Sequence, residues 1–171
     1  SQDADKLSDL QKDAVNKVIK NINKAPDFSL SSINDSIFTL SKMENRVVLI
    51  NFWATWCGPC RMEIPEFNEL HDNYHKKGFQ ILGISVSDNK KQLINFSKSF
   101  TIEYPLLYGS SKDINKVMRD YGGVYAVPSS FLIGKNGNII WSYPGAILKN
   151  YDPQTFVDLV YNIEKELKVK D

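Results

Sequence analysis

An α/β fold with a mixed sheet is predicted for this chain, on three observations. Segments rich in β-branched and aromatic residues alternate with segments of helical periodicity. The alternation ends in a hairpin signal followed by one more helix, which turns a simple layered pattern into a sandwich with a mixed sheet. The composition, 171 residues at 42% hydrophobic and 24% charged, is that of a soluble globular protein able to bury roughly 70% of its unfolded surface.

Residues 3–24 have the spacing of an amphipathic helix, with Leu7, Leu10, Ala14, Val18 and Ile22 in one stripe. Its acids come early and Lys17, Lys20 and Lys24 come late, which suits the helix dipole. A solvated spacer is the plain reading of so charged a helix, so residues 1–24 are set apart from a domain over 25–171. "APDFSL" breaks the helix, and "SIFTL" is the second arm of a hairpin around "INDS". "RVVLINFWA" is almost continuously apolar and predicts a buried central strand.

A helix follows in "GPCRMEIPEFNELHDNYHKKG", with Ile64, Phe67, Leu70 and Tyr74 on its inner side and Gly78 as its stop. "FQILGISVS" is a second buried strand, "NKKQLINFSKSF" a helix, "YPLLY" a short strand and "SKDINKVMRDYG" a further helix. "SSFLIG" is a strand after Pro128, and the Asn-Gly of "KNGN" turns it back into "IIWSY". The last helix, in "DPQTFVDLVYNIEKELK", has Asp152 as N-cap and Pro153 in its first turn.

The net charge of +1 marks neither a nucleic-acid surface nor a polybasic membrane patch. The run "VVLINFWA" falls far short of the roughly 20 apolar residues of a membrane helix. The chain opens on Ser1 rather than a methionine, and a trimmed or mature form behind a removed signal or anchor is the expectation.

Both cysteines of the chain lie in "WCGPC", at positions 57 and 60. A disulfide over so short a loop gains little stability, because the entropic term grows with loop length. Reactivity is the better reading. Cys57 falls where the strand gives way to the helix, so free backbone N–H groups and the positive dipole end favour its thiolate. Its pKa is expected to lie below the ~8.5 of a free thiol by about one to two pH units. Cys60, one turn inside, is expected to be more enclosed and to stay protonated near neutrality. Pro59 sits in the first turn, where no N–H is needed, and Gly58 keeps the approach open to another protein's sulfur. Cys57 therefore attacks and Cys60 resolves.

Three other readings compete. His71 and His75 complete a pattern resembling a zinc finger, but a continuous helix holds Cys57 roughly 21 Å from His71, whereas zinc ligands lie about 2 Å from the metal. The two histidines are assigned to the surface, and no metal or cofactor beyond the redox disulfide is expected. A Cu(I) site on the two thiolates stays open. A pair of inert core cysteines fits poorly with glycine and proline between them.

"FWATWCGPC" resembles the active-site strand and turn of thioredoxins, and "VPSSFLIGKNG" resembles the strand that this family begins with a cis-proline. More narrowly, the chain is similar to the TlpA/ResA-like thiol–disulfide oxidoreductases. The likeness rests on the opening hairpin "APDFSLSSINDSIFTL", on "RVVLINFWATWCGPCRMEIPEF", on the inserted strand–helix segment around "ISVSDNKKQLINFSKSF", and on "YPLLYG", and it spans residues 25–168. Peroxiredoxins share the architecture without this cysteine pair. The resemblance implies that Pro128 is cis and lies against the disulfide, leaving the backbone of Val127 free to pair with a substrate chain. It implies that Trp56 flanks the nucleophile on the docking surface, against the alternative of a plain core aromatic. Pro65 matches the kink proline of the active-site helix, and Gly145 would line the docking face.

One departure from thioredoxins matters. Their buried aspartate, six residues before the nucleophile, is replaced by Asn51, which cannot act as a base. The TlpA/ResA-like group has a glutamate that matches Glu63, one helical turn from Cys60, where proton relay is reasonable. The alternative is an acid that merely favours the helix dipole. A carboxylate there would also raise the thiol pKa values by repulsion.

Together these imply a monomeric reductant of client-protein disulfides outside the cytoplasm, recharged by an upstream thiol donor. Its potential is expected at roughly −250 to −280 mV by analogy with thioredoxin's −270 mV, and cytochrome c maturation is the expected setting. A tryparedoxin-like cytosolic reductase and a Cu(I) chaperone are the alternatives.

Overall fold

A computed structural model describes residues 8–170. Helix α1 (Asp9–Ile22) occupies the predicted first segment, and the stripe residues Leu7 and, for its side chain, Ile22 lie outside the described residues. Leu10 and Val18 of the stripe are exposed. After α1 the chain is tied to the body, as Asn23 O accepts from Ile139 N at 2.7 Å and Ala25 N donates to Gly137 O at 2.9 Å.

Strands β1 (Ser29–Ser32) and β2 (Ile37–Thr39) form the predicted hairpin. β3 (Val47–Trp53) leads into α2 (Gly58–Tyr74), and β4 (Phe79–Ser85) into α3 (Lys90–Ser97). β5 (Leu106–Tyr108), α4 (Ser111–Asp120), β6 (Ser129–Ile133), β7 (Ile139–Pro144) and α5 (Pro153–Leu167) complete the order. The seven-stranded sheet runs β2-β1-β5-β4-β3-β6-β7. β3, β4 and β5 are parallel, and β6 and β7 return antiparallel at one edge, as the hairpin at the other edge does. The predicted mixed sheet is present, with β3 an interior strand between β4 and β6.

Every residue of β3 and of β4 is buried. That is the burial expected of strands covered on both faces, and it explains their unbroken apolarity. The strand pleat sorts the side chains. Val47, Leu49 and Trp53 join α2 and α5 residues such as Phe67, Leu70, Leu159 and Ile163 in one core. Val48, Ile50 and Phe52 meet Ile114, Val117 and Tyr121 in the other. Asn51 alternates with the first set and so faces α2.

α2 begins on Cys57 as its N-cap and runs through Pro65. Proline has no N–H to give, so the Arg61 carbonyl lacks its usual helical partner there. Gly78 stops the segment in a left-handed conformation, φ 104°, which a side chain would resist.

Candidate active site

The carboxyl end of β3 and the first turn of α2 place the cysteine pair. Cys57 has extended backbone angles (φ −90°, ψ 112°), and its sulfur accepts from Cys60 N at 3.3 Å, which makes it the side-chain cap of α2. The two sulfurs are joined in a disulfide, with Cα atoms 5.3 Å apart. A cap that accepts an N–H at the positive end of a helix is the environment that favours a thiolate after reduction. Both sulfurs belong to the core cluster that α2 shares with α5, and exposure differs little between them, 5% for Cys57 and 2% for Cys60. The chemical distinction between them lies in the cap position, not in depth.

A second loop closes over the disulfide. The Val127–Pro128 peptide is cis, and Val127 O lies 3.7 Å from Cys57 Sγ. Pro128 O accepts from Gly145 N at 2.9 Å, which joins the start of β6 to the loop after β7. Gly145 has φ +82°, a conformation that disfavours any residue with a Cβ. Val127, beside Cys57, thus stands with Pro128 and, from a separate loop, Gly145. At Gly58 nothing lies within 4 Å of where a Cβ would be, so this flank is open.

Trp56 is 65% exposed, which overturns the core alternative. Its Nε1–H donates to Ser87 Oγ at 2.8 Å. That contact is part of a brace from the β4–α3 connection. Buried Asp88 accepts from Thr55 N at 2.8 Å, from Thr55 Oγ1 at 2.5 Å and from Ser85 Oγ at 2.8 Å. The loop after β4 therefore holds the turn that presents Cys57. Sequence reading missed Asp88, because "SDN" before a helix reads as capping chemistry, and here Asn89 is the cap.

Beneath the disulfide lies a buried polar cluster. Glu63, one turn from Cys60 on α2, accepts from Ile147 N at 2.8 Å through Oε2 and from Asn51 Nδ2 at 3.3 Å through Oε1. Asn51 Nδ2 also donates to Ser130 Oγ at 2.9 Å. Burial pushes the Glu63 carboxyl up to about 8, against the downward pull of the Ile147 and Asn51 hydrogen bonds. Near neutral pH this group therefore carries a proton, and its repulsion of a thiolate comes into play only as the pH approaches 8. Glu63 is fully enclosed, so a surface acid that merely faces the helix dipole does not describe it. Tyr104, buried beside it, has its hydroxyl pushed up by burial and then by Glu63. It packs closely because β4 offers Gly83, where a Cβ would come within 3.2 Å of Trp53 Nε1 and 3.3 Å of the Tyr104 ring. Ser130 and the Ile147 N–H were not legible as partners of Glu63, since only strand register and the fold of the 145–148 loop bring them there.

His71 and His75 stack on each other at 4.4 Å between ring centroids, at the opposite end of α2 from the cysteines. Burial and His75 lower the pKa of His71. Among the described residues no group of three or more His, Cys, Asp and Glu side chains is arranged to hold a metal. Among them too, no helix is long and apolar enough to cross a membrane.

Residues 22–142 match the AhpC/TSA family. The thiol-disulfide oxidoreductase ResA of Geobacillus thermodenitrificans is 35% identical over 125 residues, which is 73% of this chain and 70% of that protein. ResA of Geobacillus kaustophilus is 34% identical over the same shares. Among solved structures, a thiol:disulfide interchange protein of the thioredoxin family from Chlorobium tepidum superposes with a TM-score of 0.71 at 26% identity. It covers 85% of this chain and 96% of that one.

Proposed function

This chain belongs to the AhpC/TSA family as a ResA-like thiol–disulfide oxidoreductase of thioredoxin-like fold, and from that premise we propose that it is an extracytoplasmic reductant of client-protein disulfides in which Cys57 attacks and Cys60 resolves. The observation that carries the assignment is the cap: Cys57 Sγ alone accepts an N–H at the start of α2.

In the reduced protein the Cys57 thiolate attacks one sulfur of the client disulfide, whose other sulfur leaves and takes a proton. The Cys60 thiol then loses its proton and attacks Cys57 Sγ, which expels the second client thiol and forms the 57–60 disulfide. The client gains two electrons and the protein loses two, so an upstream thiol donor must restore it. Val127, with its backbone outside any strand next to the cysteine pair, offers an edge to an extended client segment. Trp56, Gly58, Pro59, Pro128 and Gly145 are assigned to the docking surface with it. Glu63 is the proton relay for Cys60. A carboxyl at about 8 is close to the ~8.5 of an ordinary thiol, so a proton passes between the two with little driving force either way, as efficient relay requires.

Residues 1–24 act as a spacer ahead of the catalytic domain at 25–171, and the exposed side chains of residues 9–18 in α1 are in keeping with that. Cytochrome c maturation is the setting that the family resemblance favours, with cysteine-bearing apoproteins as clients. The test is trapping: Cys60→Ser should accumulate mixed disulfides with a model client, and Cys57→Ser should accumulate none. Equal trapping by both variants would overturn the assignment, and a 57–60 potential far above thioredoxin's would overturn the reducing role.

A further inference from the structure

Sequence comparison with thioredoxin presents Asn51 as a loss, an amide where an acid would serve. Its surroundings say otherwise. Asn51 and Ser130 are cross-strand partners on β3 and β6. The pleat turns both toward α2, where Glu63 enters from above. The three side chains are 3%, 0% and 1% exposed respectively. One amide nitrogen serves two acceptors, Ser130 Oγ at 2.9 Å and Glu63 Oε1 at 3.3 Å.

We propose that Asn51 is a positioning residue for Glu63: its amide, aligned across the sheet by Ser130, holds the Glu63 carboxyl in place and keeps it able to cycle between acid and base during disulfide exchange. This rests on the reading of Glu63 as the proton relay.

The argument is one of balance. A carboxyl so enclosed would remain protonated at every working pH if burial acted alone, and a permanent acid cannot accept the proton of Cys60. Each carboxyl oxygen instead faces an N–H donor, Ile147 N on Oε2 and the Asn51 amide on Oε1. N–H donors favour the anion. Burial prevails but does not run unopposed, and these two donors are its counterweights. The other titratable groups facing Glu63 supply no positive charge. Tyr104 is a neutral phenol held neutral by burial, and the cysteine pair on its own helix is uncharged as a disulfide. The Ile147 donor is backbone and comes with the loop. Asn51 is the side chain by which this chain sets the carboxyl's proton affinity, and Ser130 Oγ, as acceptor of the same Nδ2, supports the orientation that offers an N–H to Glu63.

The experiment uses the full chain, oxidised, with the Glu63 side-chain carboxyl carbon followed by NMR across pH, and in parallel the pH profile of client-disulfide reduction. Asn51→Leu keeps the branching at Cγ and removes the donor. It should move the Glu63 midpoint upward by about one to two pH units, the range expected from losing one hydrogen bond to a charged group, and move the alkaline side of the rate profile with it. Ser130→Ala leaves the donor in place but frees its orientation, and should move both in the same direction by less. An unmoved midpoint in Asn51→Leu, or in Ser130→Ala where Asn51→Leu does not fold, overturns the proposal. Glu63→Gln separates the two claims. Should it reduce clients at the wild-type rate, the relay reading fails, even if the midpoint shift in Asn51→Leu supports the positioning of the carboxyl.

Discussion

Replacing Glu63 by glutamine changes how stability depends on pH, by an amount the structure bounds. The folded carboxyl holds its proton up to about 8, against 4.5 for the ordinary group. Because the native state binds this proton more tightly than the unfolded chain does, the contribution is fully present below the unfolded value. It is lost as pH rises toward the folded one. Each pH unit within that window costs about 1.4 kcal/mol, so the loss by pH 8 has a ceiling of about 5 kcal/mol. Glutamine does not titrate. It still accepts from Ile147 N through its carbonyl oxygen, and its NH2 group meets Asn51 once the Asn51 amide flips to offer Oδ1. Glu63→Gln should thus match the wild type within about 1 kcal/mol near pH 5 and exceed it by several kcal/mol above pH 8. Urea unfolding of the two oxidised proteins at a series of pH values, at unchanged m-value, measures the difference directly. Parallel stability curves across that range would refute the picture of Glu63 as a buried acid of raised pKa.

Two other substitutions probe the turn that presents Cys57. Asp88→Ala removes the shared acceptor of Thr55 N, Thr55 Oγ1 and Ser85 Oγ. Leaving these donors unmet should cost about 2–4 kcal/mol, seen as a lower urea midpoint, and a midpoint within experimental error of wild type would dismiss the brace. Trp56→Ala, at a side chain already 65% exposed, should change stability by no more than about 0.5 kcal/mol while raising KM for a disulfide-bonded client several-fold. Unchanged KM would remove Trp56 from the docking surface.

Local chemistry wrote much of this molecule openly. The unbroken apolarity of Val47–Trp53 and of Phe79–Ser85 announces strands covered on both faces, and both are buried throughout. The Gly-Pro pair inside "WCGPC" marks a helix start, and α2 begins there with Cys57 as cap. "KNGN" marks the β6–β7 turn, and Asp152 caps α5. These features depend on periodicity, capping and turn preference, each of which acts over a few residues and so can be read in order along the chain. The position of Glu63 one turn from Cys60 is legible for the same reason.

What the tertiary structure alone decided is the company those residues keep. Trp56 could have been core or surface on its spacing; the loop carrying Ser87 and Asp88 holds it outside. Glu63 could have been a solvated acid near the helix start; the loop carrying Ile147 and the pairing of Asn51 with Ser130 enclose it. In each case the deciding partner comes from a distant part of the chain, through strand register or loop closure that no local pattern encodes. Sequence determined where a thiolate would form, because a helix terminus is local. Burial determined the proton affinity of the acid beside it, because desolvation is a property of everything packed around a group and not of the group's neighbours in the chain.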